Sequence, residues 1–474
     1  MNDSPINARK ISLGSEHVSA SIVKQTAWRA GVARRTINPP AGVELAGLGY
    51  YLHRVWRRVR DDLTATALVV TDHHEGSVAV VSLDLMYNGL AFTRRVRQLA
   101  CAQTDLCPTA ICVNVSHSHN APTAGFIRGC GDRDEAYLEA AARAAANAVI
   151  GAWRARRPAV LFAGHGELTE MTFNRARENG PTDRLLSVLR IEETSGRPMA
   201  AAINFHSHCT AHMELDLQAV SRDWPGEVVD QIETSLPGVM AIYCQGTAGD
   251  VNFRREFNGT EKRFEPALAL SMLALNAWQM ARLVERPGVE SIAFNVALPT
   301  RRWDRSEILG DREEGLHRMR TGDVHGWLEG LARRSVNQPE RLPLRYGGSV
   351  EKAVAALARF AVEWTDDILP ILDTRAEKLE AEVQALRIGD IWIAAHPSEL
   401  FTSLGLDLRR QWPGDLFVLG YSNSSIGYLP DAKEFEHPSY ATIQSPKFTG
   451  QFPFTPQSGA TLVNALLEAL HSID

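Results

Sequence analysis

Two copies of the tripeptide His-Ser-His, at residues 117–119 and 206–208, are the part of this chain best suited to chemistry. Each copy directly follows an apolar run that is typical of a buried strand. Side chains two residues apart on a strand point to the same face, so His117 and His119 continue the apolar face of the strand before them. Histidines at the end of such a strand can hold a metal or transfer a proton. The spacing alone fits a pair of buried structural histidines equally well.

A carboxylate occupies a similar position further along the chain. Glu399 is the first acidic residue after the apolar run 391–395, which predicts another buried strand. A carboxylate at the end of that strand could complete a His/His/Glu metal set. Taken alone, Pro397-Ser398-Glu399 is more typical of a helix N-terminus, where an acidic side chain complements the helix dipole.

A glycine-containing segment, residues 246–252, follows the apolar run 239–244. Its glycines permit a tight turn after a strand, and Asp250 and Asn252 would stand at the mouth of that turn. The segment is neither a Walker loop nor a dinucleotide-binding fingerprint. An ordinary turn and a functional loop both remain open. The chain has no Gly-x-Ser-x-Gly motif, which argues against covalent catalysis by a serine.

The order of predicted elements indicates an α/β protein. Strand-like runs such as 66–70 and 77–83 alternate with helical runs such as 134–154, which favours an α/β sandwich around a mixed sheet. Further helices are predicted over residues 266–285, 350–366, 373–382 and 461–473.

The chain is predicted to consist of an N-terminal arm over residues 1–27 and a single domain over residues 28–474. No low-complexity tract or long linker divides the larger part. Within it, residues 301–347 are highly charged and have little strand character. We interpret them as an insertion or lid that shapes specificity, with Trp303 and Trp327 as its large side chains.

The composition excludes several classes of partner. A formal net charge of -6 at pH 7 argues against nucleic acid, because phosphate binding needs a basic surface. No apolar run is long enough for stable membrane insertion. The N-terminal residues lack the apolar core of a secretory signal, and the 6 cysteines contain no Cys-x-x-Cys pair. We therefore expect a cytoplasmic protein whose partner is a small molecule, and a homo-oligomer remains open.

Several short segments carry a family resemblance when they are taken in order. They include Thr36-Ile37-Asn38-Pro39-Pro40, Ser82-Leu83-Asp84, residues 114–122 with the first His-x-His, Asn174-Arg175, residues 204–208, residues 221–226, residues 246–252, Pro397-Ser398-Glu399 and residues 422–428. Together they resemble the neutral/alkaline (non-lysosomal) ceramidase family of zinc amidohydrolases. The resemblance implies a mixed-sheet α/β sandwich of the type found in the N-terminal domain of neutral ceramidases.

The same resemblance implies a Zn²⁺ site and assigns roles to individual residues. The zinc ligands of the family fall on His117, His208, Glu399 and Tyr428. His119 would transfer a proton to the leaving group, and Arg175 would bind the substrate carbonyl or a developing negative charge. Asp250 and Asp223 would orient the histidines from behind, and His206 would be a structural residue.

The chain departs from the family pattern at one catalytic position. The family motif Gly-Asp-Val-Ser-Pro places a catalytic serine where this chain has Asn252, and the following proline is Phe253. An asparagine cannot supply a reactive hydroxyl, so we expect direct attack by zinc-bound water, with Asn252 helping Arg175 to steady the oxyanion. The additional C-terminal β-domain of the family is also expected to be absent.

The sequence therefore predicts a zinc-dependent amidohydrolase that cleaves a carbon-nitrogen bond of a small to medium organic substrate. An ester or carbamate hydrolase using the same site is one alternative. A non-catalytic ligand-binding member of the fold is a second, and an iron-dependent enzyme is a third, because His/His/Glu sites also suit redox metals.

Overall fold

The computed structural model describes residues 28–335 and 338–474, so the predicted N-terminal arm over residues 1–27 lies outside the described residues. The strands are β1 (Trp28–Thr36), β2 (Arg58–Val59), β3 (Thr64–Thr71), β4 (Ser77–Leu83), β5 (Ile111–Val115), β6 (Arg157–Glu167), β7 (Thr172–Asn174), β8 (Leu185–Glu193), β9 (Pro198–Phe205), β10 (Ala219–Val220), β11 (Met240–Gln245), β12 (Val251–Phe253), β13 (Arg282–Leu283), β14 (Val289–Pro299), β15 (Lys378–Ile388), β16 (Ile391–Ala395), β17 (Glu399–Leu400), β18 (Asp415–Leu419) and β19 (Tyr428–Leu429). The helices are α1 (Leu90–Cys101), α2 (Glu135–Arg154), α3 (Asp223–Ser235), α4 (Phe264–Gln279), α5 (Arg305–Thr321), α6 (Arg333–Ser335), α7 (Val350–Ile368), α8 (Thr402–Gln411), α9 (Ser445–Thr449) and α10 (Ser458–His471).

Two mixed sheets form the centre of the fold. The larger sheet has the strand order β11-β9-β8-β6-β1-β3-β4-β5, with β13 added beside β6, and the smaller sheet has the order β14-β15-β16-β18. The pairs β9 with β11, β4 with β5 and β16 with β18 are parallel. The other neighbouring strands in these two sheets are antiparallel. The predicted mixed sheet is therefore confirmed.

The two sheets face each other, and helices cover their outer faces. In the smaller sheet, Leu386 and Ile393 join the hydrophobic core of the larger sheet, whereas their neighbours Ala385 and Ala394 pack with α8 and α10. Strands β9 and β11 of the larger sheet also alternate, with every second side chain packing against α3 and α4. This alternation follows from the two-residue period of a strand. The predicted α/β sandwich is confirmed.

Local sequence explains the helix that packs on β1 and β3. Asp134 begins α2 by accepting a hydrogen bond from the backbone N–H of Tyr137 at 2.8 Å. The buried face of the helix is rich in alanine, including Ala141, Ala145 and Ala152. These small side chains favour the helical conformation and let the helix lie close to the sheet.

The described residues of the predicted lid, 301–335 and 338–347, pack beside α7 rather than on either sheet. Helix α5 runs along α7, and the segment shares one hydrophobic cluster with Tyr50, Cys130 and Phe448. Trp303 and Trp327 are only 3% and 8% exposed, so these two side chains anchor the segment in that cluster.

One predicted helix is wrong and another is wrong in extent. The helix predicted over 373–382 is absent: residues 373–377 are not helical, and residues 378–382 begin β15, because this stretch alternates polar and apolar side chains and pairs with β14 along its whole length. The helix expected over 266–285 ends at Gln279, and Arg282 and Leu283 pair with β6. None of the helices within residues 28–335 and 338–474 is long and apolar enough to span a lipid bilayer.

Candidate metal centre

The ends of strands from both sheets meet at one buried site. His117 and His119 follow β5, and His208 follows β9, so these three residues come from the larger sheet. Glu399 opens β17, directly after β16 of the smaller sheet. Parallel pairing of β17 with β19 places Tyr428 opposite Glu399. Side chains that are far apart in the sequence therefore share one pocket between the two sheets.

Four side chains lie close together there. One ring nitrogen of each of His117, His119 and His208 lies within 4.8 Å of the others. The Oε2 atom of Glu399 lies 3.5 Å from Nε2 of His117 and 3.2 Å from Nε2 of His208. All four residues are buried. A cluster of three histidines that could hold a metal is thus present, with a carboxylate beside it.

Backbone carbonyls determine which ring nitrogens face this cluster. The Nδ1–H of His117 donates to the carbonyl of Met86 at 2.8 Å, and the Nδ1–H of His208 donates to the carbonyl of Ala248 at 2.5 Å. Each Nε2 atom therefore carries a lone pair that is directed into the cluster. Metal-binding histidines adopt this arrangement. The Oε2 atom of Glu399 has no hydrogen-bond donor among the described residues. Two lone pairs and an unsatisfied carboxylate oxygen fit a bound cation.

The electrostatics give these residues the protonation states that a metal requires. Burial, followed by the charge of Arg175, lowers the pKa of His208 to about 3. Burial also holds the pKa of His119 well below its ordinary value. For Glu399, burial raises the pKa, but contact with His117 and His208 outweighs burial and holds the pKa well below its usual range. His119 and His208 are therefore neutral and the glutamate is ionised near pH 7, as metal ligands must be.

Tyr428 and Arg175 complete the edge of the cluster. The hydroxyl of Tyr428 lies 3.4 Å from Nε2 of His208, and its ring stacks on the His208 ring at 6.4 Å between centroids. Nη2 of Arg175 lies 3.0 Å from the same Nε2 atom and donates to the Tyr428 hydroxyl at 2.5 Å. The structure thus brings together His119, Arg175 and the four side chains expected to bind zinc.

Among the described residues, Asp250 and Asp223 make no hydrogen bond or ion pair with a histidine ring, unlike the expected orienting role. The carboxylate of Asp250 accepts hydrogen bonds from Asn174 at 2.6 Å and from the hydroxyl of Thr402 at 2.7 Å, which ties the loop of Arg175 to the start of α8. The carboxylate of Asp223 accepts from the backbone N–H groups of Ala211 and Trp224. Both residues therefore brace backbone segments around the site, because their oxygens are already used by these donors.

Asn252 and His206 lie beside the cluster rather than in it. Nδ2 of Asn252 donates to Thr210 at 3.1 Å, and the preceding carbonyl, that of Val251, accepts from the N–H of His208 at 3.0 Å. His206 instead accepts from the N–H of Thr247 at 3.0 Å and lies away from the clustered histidines.

Sequence reasoning missed a role for two tyrosines that support the ligands. The hydroxyl of Tyr87, shortly after β4, donates to Oε1 of Glu399 and so directs the other oxygen at the cluster. The ring of Tyr421 packs on the His117 ring at 4.3 Å between centroids. His117 and Tyr421 both adopt left-handed backbone conformations, with φ of 62° and 52°. Such strain in non-glycine residues is typical of functional sites. The position of Tyr421 next to the polar loop 422–427 was the one available signal.

Gly249 permits the close approach of two chain segments at this site, and its replacement by alanine should be costly. A Cβ atom there would lie 2.4 Å from the carbonyl oxygen of Glu399. We expect Gly249→Ala to lower the free energy of unfolding by about 1–3 kcal/mol and to weaken metal binding, because the Glu399 strand must move. Urea unfolding and metal titration measure both effects. Gly310→Ala is the control, since a Cβ atom there meets nothing within 4 Å in a helix; equal losses in the two variants would contradict the explanation.

Comparison with known proteins supports the same assignment of the fold. No model of a protein family matches the chain. Neutral ceramidase A of Dictyostelium discoideum is 32% identical over 127 residues, and this match spans 22% of the chain and only 18% of that relative.

Two solved structures match nearly the whole chain. Neutral ceramidase from Pseudomonas aeruginosa aligns with a TM-score of 0.68 at 16% identity, covering 94% of this chain and 74% of that one. A ceramidase complexed with C2 aligns with a TM-score of 0.68 at 15% identity, covering 94% and 75% of the two chains. The chain therefore has the fold of neutral ceramidases.

Proposed function

We propose that this protein is a zinc-dependent hydrolase that cleaves an amide bond of a small to medium organic molecule in the cytoplasm. The observation that carries the proposal is the convergence of the Nε2 atoms of His117 and His208 with Oε2 of Glu399. Relatives named ceramidases support an amide as the bond cleaved. The six cysteines, all of them free, are consistent with a reducing compartment.

His117, His208, Glu399 and Tyr428 would hold the zinc ion. Two imidazoles, a carboxylate and a phenol oxygen are ligands that zinc accepts, and the two imidazoles are already oriented by backbone carbonyls. A zinc ion bound there would lower the pKa of water towards neutrality and polarise a carbonyl group.

Arg175 and His119 supply the remaining chemistry. The guanidinium of Arg175 borders the ligands and carries a permanent positive charge, so it can bind the substrate carbonyl oxygen and the negative charge that develops on it. His119 is neutral because of its burial, and its Nδ1 atom has no partner among the described residues. It can accept a proton, and once protonated in this buried site it readily transfers that proton to the leaving amine.

Metal analysis combined with a substrate panel tests the proposal. Purified protein is expected to contain about one zinc ion per chain and to hydrolyse members of a panel of amides, esters and carbamates. A chelator should abolish the hydrolysis, and added zinc should restore it. Preference for esters or carbamates would replace the amide assignment, and iron in place of zinc would replace the metal. Full activity without metal, or ligand binding without any metal-dependent turnover, would contradict the proposed function.

Asn252 is assigned a supporting role at the oxyanion, which a truncation can test. Its Nδ2 group has two N–H donors, of which one is used by Thr210 at 3.1 Å, and the carbonyl of the preceding Val251 accepts from the N–H of His208. We expect Asn252→Ala to lower kcat roughly 100-fold with little change in KM or zinc content, because it removes a donor that acts on the developing charge. Asn258→Ala, whose side chain binds the carbonyl of Phe253, should retain normal kcat. Unchanged kcat in Asn252→Ala would exclude this role.

A further inference from the structure

A buried arginine without an acidic partner lies directly behind the metal centre. Arg54 is 1% exposed. Its guanidinium donates only to uncharged carbonyls, those of Leu217 at 2.6 Å, Ala46 at 3.0 Å and His119 at 2.8 Å. Its Nη2 group is buried and finds no acceptor in the described part of the chain. One NH2 group therefore lacks an acceptor, and the guanidinium forms no ion pair with a carboxylate among the described residues.

A second arginine, which is partly buried, comes from the predicted lid. Arg345 lies at the end of a 3₁₀ turn, Pro339–Tyr346, and its Nη1 group is buried without a partner among residues 28–335 and 338–474. Burial lowers the pKa of Arg345, and burial lowers that of Arg54 to about 9. Cys130 lies between them. Its carbonyl accepts from the N–H of Gly47, the residue after Ala46, whose carbonyl binds Arg54, and Cys130 shares a hydrophobic cluster with Tyr346, the residue after Arg345.

The acidic groups nearby do not neutralise this pair. Asp216 acts on Arg54, but its carboxylate is already engaged by Arg58 at 2.6 Å. The other groups that act on Arg345 are Cys130, Tyr346, Tyr440 and the cation Arg341. Buried charges in proteins are normally paired, because leaving one unpaired costs several kcal/mol. A positively charged region retained at this cost calls for an anionic ligand.

The arginine pair is connected to the reaction centre from two sides. Arg54 binds the backbone carbonyl of His119, one of the clustered histidines. Arg345 acts on Tyr440, whose ring lies 5.3 Å from the ring of Tyr428, measured between centroids. An anion held by the arginines would therefore belong to a molecule that also reaches the metal centre.

We propose that Arg54 and Arg345 form a subsite for a carboxylate group of the substrate. The planar guanidinium of arginine matches the two oxygens of a carboxylate, and each arginine has one free N–H group to offer. The proposal rests on the proposed hydrolase function and narrows its substrate class to amides that carry a carboxylate. A neutral lipid amide would leave both arginines unpaired and is disfavoured as the substrate.

Matched substrates test the subsite in the zinc-loaded full chain. N-acetyl-L-phenylalanine is compared with N-acetyl-2-phenylethylamine, which lacks the carboxylate on the amine side. N-succinyl-2-phenylethylamine is compared with N-butyryl-2-phenylethylamine, which lacks it on the acyl side. In at least one pair, the carboxylate member is expected to have a kcat/KM about 10- to 100-fold higher, and calorimetry should show tighter binding.

Arg345→Gln is the decisive variant, because no described residue depends on this side chain. It should abolish the preference for the carboxylate mainly through KM and leave hydrolysis of the neutral member unchanged, and Arg345→Lys should restore part of it. Arg320→Gln, an exposed arginine of α5, is the matched control and should behave as wild type. Arg54 is less suitable because it also supports three carbonyls.

The possible results distinguish failure of the carboxylate subsite from failure of the proposed hydrolase function. Metal-dependent hydrolysis with no carboxylate preference in either pair, or a preference that survives in Arg345→Gln, would overturn the subsite while the hydrolase remains. Carboxylate binding by calorimetry that disappears in Arg345→Gln, without hydrolysis of any panel member, would support the subsite and refute the hydrolase. Absence of both binding and preference counts against the subsite.

Discussion

Replacing His117 or His208 by alanine is expected to remove zinc from the protein and to lower kcat/KM for amide hydrolysis by at least about 1000-fold, equivalent to about 4 kcal/mol of transition-state stabilisation. Each histidine offers a single Nε2 lone pair to the cluster, and the carbonyls of Met86 and Ala248 hold the rings in place. Alanine cannot replace that lone pair, and no other described histidine is close enough to substitute beyond His119. Elemental analysis of the purified variants gives the zinc content independently of activity.

His119→Ala is the matched comparison because it lies in the same tripeptide. If His119 transfers a proton, this variant should keep its zinc and lose only kcat. Zinc loss in His119→Ala would instead make His119 a third histidine ligand, a geometry that the spacing of the ring nitrogens also permits. Circular dichroism should confirm that the variants are folded, and exposed His437→Ala controls for the substitution itself. Normal zinc content in both His117→Ala and His208→Ala would refute the site.

Replacing Arg175 by glutamine is expected to lower kcat by about 100- to 1000-fold while zinc stays bound. The guanidinium is buried beside His208 and Tyr428, where it can stabilise negative charge on the substrate without being a metal ligand itself. Glutamine keeps part of the hydrogen-bonding capacity but removes the charge. Steady-state kinetics with the best amide of the panel, together with zinc analysis, distinguishes lost catalysis from a lost metal.

Arg177→Gln provides the control for the same substitution two residues further on. Arg177 pairs with Asp431 and Glu434 instead of facing the cluster, so its replacement should affect stability more than kcat. A loss of zinc in Arg175→Gln would show that Arg175 maintains the ligands instead of acting on the substrate. Equal losses of kcat in the two variants would also exclude the proposed role.

Local patterns in the sequence predicted the larger elements well. The alanine-rich run before Arg154 forms α2, and the apolar runs before His117 and His208 form β5 and β9. The beginning of β15 was mistaken for a helix, although its alternating side chains carried the two-residue period of a strand. In a short charged segment, the 3.6-residue period of a helix and the two-residue period of a strand are hard to distinguish. Pairing with β14 along the whole of β15 makes this segment a strand.

The residues of the candidate metal centre could be named from the sequence only through its resemblance to the neutral ceramidase family. The side chains that support it were not, since Tyr87 is an unremarkable tyrosine after a strand and contacts Glu399 across 312 positions of sequence. Asp250 is a different case, because the orienting role expected for it came with the family resemblance. In the structure its oxygens are occupied by Asn174 and Thr402.

By itself, the sequence determined the α/β class, the strands that end in histidines and the residue types that suit a metal. These properties depend on the local period of apolar side chains and on the chemistry of single residues, which a linear pattern records. Only the tertiary structure decided that Glu399 faces His208 and that Arg54 and Arg345 each keep a buried nitrogen without a partner among the described residues. Those relations arise where two sheets and the lid segment pack together, and the burial that makes an unpaired charge significant exists only after that packing.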